Sequence, residues 1–294
     1  MSHPAVRRRL SDGRWHFQHG PIDLVIACEG GEEACRAALE QAWARFQGIL
    51  DELSPQLPTL RSPVPGASDT GPLRPGDPIA RRDAVNGPVA RAMVDACSPY
   101  GEQFGLFITP MAAVAGSVAD AVAEAFHRPG VERAYVNNGG DVALCLKPGR
   151  HFDVGIVANI EWPGVDGRFR IESTSPVRGI ATSGWRGRSF SLGIADSVTV
   201  LARTGSAADA AATMIANRVD VDSTAVLRQP ASALRDDSDL GDRPVTVAVE
   251  ALAPAEIETA LDRGAAFAEL LRQRGLIEAA ALWLCAQVRV VRSR

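Results

Sequence analysis

The sequence feature that most constrains the fold is the run of residues 111–126, which is built mainly from Ala, Val and Gly. A helix that is apolar on all sides is buried, and small side chains let another backbone approach it closely. Pro110 suits the first turn of such a helix. Gly116, Ser117 and Asp120 interrupt the run, so it does not have the continuous apolar length of a membrane span. The sequence therefore predicts a helix inside the core of a soluble protein.

Other short strands and helices surround this run in an order that does not alternate strictly. Alternating apolar residues, with a break at Gly20 and Pro21, predict strands within residues 16–27. Further strands are predicted at residues 104–109, 133–136, 142–146, 152–158, 169–172, 198–202, 245–249 and 287–291. Helices are predicted at residues 32–53, 88–97, 206–219 and 255–274. Runs of strands with helices between them favour an α+β fold over a doubly wound sheet.

One long break in the pattern bears on domain organisation. Residues 54–78 carry seven prolines and little hydrophobicity. We interpret this segment as a surface loop and not as a domain boundary, because the helix before it has no core partner of its own. With 46% hydrophobic residues, the chain can bury a sizeable core. We therefore predict a flexible N-terminal tail over residues 1–15 and a single domain over residues 16–292.

Charge and the N-terminal residues suggest partners and location. The net charge of −4 argues against general affinity for nucleic acid, because neutralising phosphates requires a basic surface. We accordingly predict that Arg7, Arg8 and Arg9 belong to the solvated tail. Polar residues follow them where a signal peptide would have its apolar segment, so we expect a cytoplasmic protein without membrane attachment. The sequence leaves the oligomeric state open, a homodimer included.

Several reaction types are excluded by residues that the chain lacks. The five cysteines are widely scattered and contain no CxxC pair, which fits a reducing compartment better than a disulfide framework. Lys147 is the only lysine, so any Schiff-base mechanism would depend on it alone. The GxxxxGK, HExxH, GxSxG and GxGxxG motifs are absent. Their absence excludes the P-loop, zincin, α/β-hydrolase and dinucleotide-fold interpretations.

Three glycine-rich segments lie beside predicted elements, at residues 138–141, 181–184 and 193–196. Glycine permits positive φ and lets backbone N–H groups come close to a ligand. The alternative is that all three are ordinary hairpin turns. The segments are therefore candidates for a ligand cleft, and their spacing alone does not decide between the two interpretations.

A polar stripe marks the helix predicted at residues 206–219. Asp209, Thr213 and Asn217 lie four residues apart on a helix otherwise rich in Ala. A carboxylate and a hydroxyl one turn apart suit Mg²⁺, which takes few protein ligands and completes its shell with water and phosphate. The alternative is structural: Ser206 and Asp209 have the spacing of a capping box, and Thr213 could bond back to the preceding turn.

Taken in order, these segments resemble the FAD:protein FMN transferase (ApbE-like) superfamily. Residues 135–141 are similar to its N-x-G-G-D turn, and residues 179–184 to its A-T-S-G segment. Residues 196–213 are similar to its S-V-T-V and A-D-x-x-x-T signature. Residues 110–116, 189–196 and 208–219 resemble the short uncharacterised branch of that superfamily in bacteria and archaea more closely. The resemblance covers roughly residues 17–291.

The resemblance implies a two-layer α+β fold with a mixed, largely antiparallel sheet, packed helices and a cleft for FAD or FMN. It implies that Asp209 and Thr213 hold Mg²⁺ at a pyrophosphate. Cofactor-binding residues would be Asn138, Gly139, Gly140, Asp141, Thr182, Ser183 and Gly184. Transfer would be attack by a substrate Ser or Thr hydroxyl on the pyrophosphate with release of AMP, helped mainly by positioning and charge neutralisation.

The chain also departs from the transferases. They carry an H-x-x-D-P-x-T-G segment where residues 185–195 here contain no His, Pro or acid, and Arg188 replaces a His that is frequent in the short branch. We therefore predict no transfer of FMN to a protein. We expect Asp196, Arg188 and Ser183 to be the catalytic residues of an enzyme acting on a flavin, nucleotide or other small ligand. A non-catalytic flavin- or nucleotide-binding protein and a true FMN transferase are the alternatives.

Overall fold

The structure is a computed structural model that describes residues 4–67, 79–156, 164 and 167–293. Strands and helices are numbered in chain order. The strands are β1 Val6–Arg9, β2 Trp15–His19, β3 Ile22–Gly30, β4 Val131–Asn138, β5 Asp141–Leu146, β6 His151–Ile156, β7 Gly167–Glu172, β8 Gly179–Ser183, β9 Ser197–Ala202, β10 Val226–Pro230, β11 Pro244–Val249, β12 Ala279–Leu284 and β13 Gln287–Arg292. The helices are α1 Glu32–Gln47, α2 Ile49–Leu53, α3 Leu57–Leu60, α4 Pro88–Phe104, α5 Val114–Ala123, α6 Gly205–Ala216, α7 Ala231–Leu234 and α8 Pro254–Gln273.

Nine of these strands form one large sheet in the order β1-β2-β3-β4-β5-β8-β9-β12-β13. Every neighbouring pair in it is antiparallel. Two hairpins, β6-β7 and β10-β11, lie outside it. The predicted α+β class, with a large antiparallel sheet and packed helices, is confirmed.

The helices lie on one face of the sheet. Helices α5 and α6 pack over its middle strands, α1 over β2 and β3, and α8 over β12 and β13. The β6-β7 hairpin covers part of the other face, where Phe152 and Ile171 pack with Leu144 and Ile180. The middle strands are therefore covered on both faces, which suits their nearly continuous apolar sequences.

Helices α5 and α6 approach each other through glycine. A Cβ atom on Gly116 would lie 2.2 Å from the carbonyl oxygen of Gly205, so no larger residue fits there without a shift of the backbone. The Asp120 carboxylate, from α5, accepts the N–H groups of Gly205 at 2.7 Å and Ser206 at 2.8 Å. The small residues of 111–126 predict that another backbone approaches this helix closely, and the structure confirms this at Gly205.

Three sequence-based expectations need correction. Residues 6–9 are not a flexible tail but pair with β2, and Arg7 forms an ion pair with Glu40 and lies over the Trp43 ring. The strand predicted over residues 104–109 does not form, because α4 runs to Phe104 and ends at Gly105 in the left-handed conformation. The proline-rich segment begins with helical turns over residues 54–60, and residues 68–78 lie outside the described part of the chain.

Two other expectations concern extent. The strand predicted over residues 152–158 is present as β6, but its last two residues lie outside those described. Among the described residues, no helix combines the length and apolar character needed to cross a membrane. The division of the chain into tail and single domain otherwise stays a prediction.

Candidate functional site

The β4-β5 hairpin carries the first of the glycine-rich segments. Gly139 and Gly140 form its two-residue turn with φ of 66° and 118°, values that L-residues rarely adopt. The Gly140 N–H donates to the Asn137 side-chain oxygen at 2.8 Å. Behind the turn, the buried Asn138 amide donates to the Ala115 carbonyl oxygen at 3.1 Å, which fixes the hairpin to the start of α5. These residues thus form a hairpin turn, which lies beside the N-terminal end of α5.

Asp141, directly after this turn, is where the predicted segments meet. Its carboxylate accepts the backbone N–H of Thr182 on β8, lies beside the Arg188 guanidinium, and interacts with the charge of Asp209 on α6. Burial raises the pKa of Asp141 to about 7, although the Thr182 N–H and Arg188 act in the opposite direction. The structure therefore brings Asp141, Thr182 and Asp209 together, one residue from each of the three predicted segments.

Asp209 faces the first turn of α5. Its carboxylate accepts the Gly116 N–H at 2.9 Å and also the Ala115 N–H. Burial and the negative charge of Asp141 nonetheless raise the pKa of Asp209 well above its usual range. Asp141 and Asp209 therefore form an acidic pair, which a proton or a cation would stabilise.

The capping-box interpretation of Asp209 is wrong. The first turn of α6 is capped by the Thr204 hydroxyl, which accepts the Ala207 N–H at 3.1 Å, and by Asp120 from α5. Asp209 instead satisfies N–H groups of the neighbouring helix. Each of the two helices thus receives a carboxylate from the other at its N-terminal end, where the helix dipole favours negative charge.

The rest of the polar stripe follows Asp209 along α6. Thr213 lies one turn further on and is half-buried. The side-chain oxygen of Asn217 accepts the Leu192 N–H at 2.9 Å and the Ser191 hydroxyl at 3.3 Å. Asn217 therefore anchors Ser191 and Leu192, which follow Arg188 closely in the chain, to the end of α6.

The Arg188 side chain, from the segment that follows β8, contacts the Gly139-Gly140 turn of the β4-β5 hairpin. A Cβ atom on Gly139 would lie 1.6 Å from an Arg188 terminal nitrogen, so the guanidinium rests directly on the glycine. Apart from Gly140 itself and its chain neighbours, no heavy atom of the described residues lies within 4 Å of the corresponding position on Gly140. The turn therefore has a cation over its first glycine and open space over its second.

The second glycine-rich segment is not a turn. Thr182 and Ser183 belong to strand β8, and the Thr182 hydroxyl lies 2.9 Å from that of Thr199 on β9. A Cβ atom on Gly184 would lie 2.4 Å from the Asp196 carbonyl oxygen. Gly184 thus allows two backbones to meet, which is a structural role.

Asp196 is the predicted site residue that the structure places in a different network. Its carboxylate forms an ion pair with Arg186 at 2.9 Å and accepts the Cys285 N–H at 2.7 Å. Cys285 and Ala286 form the β12-β13 turn with positive φ. Because one oxygen pairs with Arg186 and the other holds this turn, the arrangement favours a structural role for Asp196 over the predicted catalytic one.

Sequence reasoning missed the role of Asp120. Burial raises its pKa, and it holds the first turn of α6. The signal was present in the sequence: an acid in the middle of a helix built mainly from small apolar residues needs a buried partner. The partner itself, 85 residues away in the chain, could not be read from that pattern.

Comparison with known proteins assigns the family. A family model described as "AbpE bacteria" matches residues 7–290. The chain belongs to this family. The resemblance to the ApbE-like superfamily and to its short bacterial and archaeal branch is confirmed.

Among curated relatives of this AbpE bacteria family member, a UPF0280 protein of Methanopyrus kandleri is 38% identical over 149 residues, 51% of this chain and 56% of that protein. A UPF0280 protein of Methanosarcina acetivorans is 38% identical over 139 residues, 47% of this chain and 51% of that protein. The chain thus spans about half the length of the curated relatives it matches.

Two solved structures are similar in outline. The apo form of the flavinyl transferase ApbE of Pseudomonas stutzeri is 14% identical with a TM-score of 0.43, over 99% of this chain and 94% of that one. The flavin transferase ApbE of Vibrio cholerae is 18% identical with a TM-score of 0.39, over 98% of this chain and 97% of that one.

Proposed function

We propose that this chain binds a small phosphorylated ligand, a flavin nucleotide in the first instance, together with a divalent cation at the Asp141–Asp209 pair. The observation that carries the proposal is the meeting of two half-buried carboxyl groups beside the N-terminus of α5, with Arg188 next to them. Helix N-termini and arginine both favour anionic ligands, while paired carboxylates favour a cation. A phosphate ester with its counter-cation combines both charges.

The residues fit Mg²⁺ in this proposal. Asp209 and Thr213 supply a carboxylate and a hydroxyl from one helix face, and Asp141 supplies a second carboxylate nearby. Within the described residues, no group of three or more His, Cys, Asp or Glu side chains is arranged to hold a metal ion. A site of few oxygen donors suits Mg²⁺, which shares its shell with water and phosphate, better than a closed zinc site. Bound there, the cation would neutralise charge on phosphate oxygens.

The cofactor-binding residues have distinct roles in the proposal. Arg188 provides an exposed guanidinium that can pair with a phosphate oxygen, and its position over Gly139 orients it. Thr182 at the end of β8 supplies the backbone N–H that Asp141 accepts, and Ser183 beside it offers a hydroxyl group. The open space over Gly140 leaves room for ligand atoms to approach the turn.

We further propose that the protein is a cytoplasmic, transferase-like enzyme acting on this ligand, with Arg188 and Ser183 at the reacting group. FMN transfer to a protein is not part of the proposal, because residues 185–195 lack the His and the acid of the transferase segment. A non-catalytic flavin-binding protein is the alternative. Release of AMP from FAD would exclude the non-catalytic alternative, and covalent FMN on a co-expressed acceptor domain would overturn the exclusion of FMN transfer.

Calorimetric titration of the purified protein with FAD, FMN and ADP, with and without Mg²⁺, tests the binding proposal. We expect binding of at least one of them that depends on Mg²⁺ and weakens about tenfold or more, or 1.4 kcal/mol, in Asp209→Asn. Thr213→Val should also weaken it. The matched control is Asp262→Asn on α8, which removes the charge of an exposed carboxylate that pairs with Arg289 of β13. This variant should bind like the parent. Equal binding by parent and Asp209→Asn would contradict the proposal.

A further inference from the structure

A pair of thiols lies at the opposite end of the β3-β4 strand pair from the candidate site. Leu24 of β3 pairs with Asn138 near the site, whereas Cys28 lies near the far end, where Gly30 pairs with Val131. Cys35 lies in the first part of α1, which begins at Glu32. The Cys28 thiol donates a hydrogen bond to the Cys35 sulfur, with the two Sγ atoms 2.8 Å apart and both residues half-buried. That separation is less than 1 Å beyond the roughly 2.05 Å of a disulfide bond.

The backbone between the two cysteines holds them close. The Gly31 N–H donates to the Gly130 carbonyl at 2.8 Å, and the Cys35 N–H donates to the Gly31 carbonyl at 2.9 Å. A Cβ atom on Gly30, where φ is 148°, would lie 2.2 Å from the same Gly130 oxygen. Both ends of the connection are therefore fixed, and the contact between the thiols follows from the path of the backbone.

The two thiols are not equivalent. Burial, reinforced by the hydrogen bond to Cys35, raises the pKa of Cys28 well above its ordinary value, so Cys28 stays protonated and donates. Cys35 is the acceptor, and its chain neighbour Ala34 lines a surface depression together with Gly31 and Arg128. Glu32 and Glu33 also line this depression, which favours a neutral reagent over an anionic one.

We propose that Cys28 and Cys35 form a redox-active dithiol that a neutral low-molecular-weight disulfide oxidises reversibly to an intramolecular disulfide. The Cys35 thiolate attacks one sulfur of the reagent, forms a mixed disulfide and expels one reagent thiolate. As Cys28 gives up its proton, its sulfur attacks the Cys35 sulfur of the mixed disulfide, the Cys28–Cys35 bond forms, and the bond from Cys35 to the reagent breaks with release of the second reagent thiolate. Each leaving thiolate takes up the proton that one protein thiol gives up. Two protein thiols are thereby oxidised and one reagent disulfide is reduced.

A third thiol provides the internal alternative. Cys145 lies two strands away from Cys28, because both residues pair with Ala134 of β4. Its thiol donates to the Phe126 carbonyl oxygen at 3.2 Å and lies 3.6 Å from Nδ1 of His127. The strand between them and these contacts favour Cys35 over Cys145 as the partner of Cys28.

Closure of this bond would join the end of β3 to the first turns of α1. A disulfide restricts the unfolded chain and therefore raises the melting temperature of the oxidised protein when the native geometry accepts it. The two thiols are already in contact. We therefore expect the oxidised form to melt higher than the reduced form, with the fold unchanged.

The test uses the full chain in a Cys285→Ser background, because Cys285 is exposed and would react on its own. Of the five cysteines, four then remain. After native treatment with 2-hydroxyethyl disulfide, we expect two titratable thiols in denaturant and a mass loss of two hydrogens. Peptide mapping should show a cross-linked Cys28–Cys35 peptide, and dithiothreitol should restore all four thiols.

Adding Cys35→Ser to this background should abolish the intramolecular bond, whereas Cys97→Ala should leave it intact, because Cys97 is buried apart from the pair near Thr109. Four thiols that persist in the folded background variant would overturn the proposal. A cross-link from Cys28 to Cys145 would overturn it as well.

Discussion

Around α1, the helical layer packs on the sheet through large aromatic rings, whereas α5 and α6 cross through glycine and alanine. Phe17, Trp43 and Phe46 form one cluster with ring centroids 5.1–5.8 Å apart. At the other place, Gly116 meets the backbone of Gly205, and two carboxylates cap the neighbouring helices. The first region derives its stability from buried area, while the second places polar groups near the sheet. The candidate site lies in the second region.

We expect the largest loss of stability from a substitution in the aromatic cluster of Phe17, Trp43 and Phe46. Phe46 is fully buried against Phe17 and Trp43, so Phe46→Ala should lose its transfer free energy and leave a cavity. We expect a loss of about 3–5 kcal/mol in the free energy of unfolding, measured by denaturant titration. A loss below about 1 kcal/mol would show that this cluster does not carry the stability assigned to it.

The second effect breaks the small-residue crossing. Gly116→Ala places a methyl group 2.2 Å from the Gly205 oxygen, which cannot move independently of its backbone. We expect a loss of about 2 kcal/mol or more, despite the better helix propensity of Ala. Gly48→Ala is the control, because φ there is −92° and the nearest atom to its Cβ lies 4.0 Å away. Equal stability of the two variants would refute the close crossing.

Removal of a cap should have a smaller effect. Asp120→Ala leaves the N–H groups of Gly205 and Ser206 without their acceptor at the buried start of α6. We expect a loss of about 1–3 kcal/mol. Asp242→Ala removes an exposed carboxylate that accepts only the Ser232 hydroxyl among the contacts described, and it should change little. If the two variants unfold alike, the contribution of Asp120 to the crossing is negligible.

A pH dependence should distinguish the regions most finely. The pKa of Asp141 is raised to about 7 in the folded state. Between about pH 4 and pH 7, therefore, folded Asp141 holds its proton while the unfolded residue has lost it. Its contribution to stability is therefore complete below about pH 4 and is lost as the pH rises through 7. In chelator, Asp141→Asn should lack a decline on the order of 1 kcal/mol between pH 5 and 8, after allowance for solvent screening. Phe46→Ala should retain that decline.

The sequence predicted the elements whose signal is local. Apolar alternation located β3 and β9, and the Asn-Gly-Gly turn located the β4-β5 hairpin. Strand β8 was missed because Thr182 and Ser183 are polar and Gly179 follows a loop, so nothing local marks a strand whose pairing is with distant β5 and β9. Gly105, which ends α4 one residue after the predicted strand begins, was likewise a weaker local signal than the apolar residues around it.

The candidate site was predictable as a set of segments and not as a network. The motif order indicated that residues 138–141, 182–184 and 209–213 belong together. Which groups satisfy one another depends on the crossing of α5 and α6, and a single sequence does not encode that pairing in any local pattern. For this reason Asp209 could be read as a cap of its own helix, although it caps α5.

The most direct test of the central claim is a calorimetric titration of chelator-treated protein with Mg²⁺ alone at pH 8. We expect one saturable site in the parent and in Asp262→Asn, and an affinity for Mg²⁺ lower by at least about tenfold in Asp209→Asn. Unchanged Mg²⁺ binding in Asp209→Asn, or a parent protein that binds no Mg²⁺, would contradict the assignment of the acidic pair as a cation site.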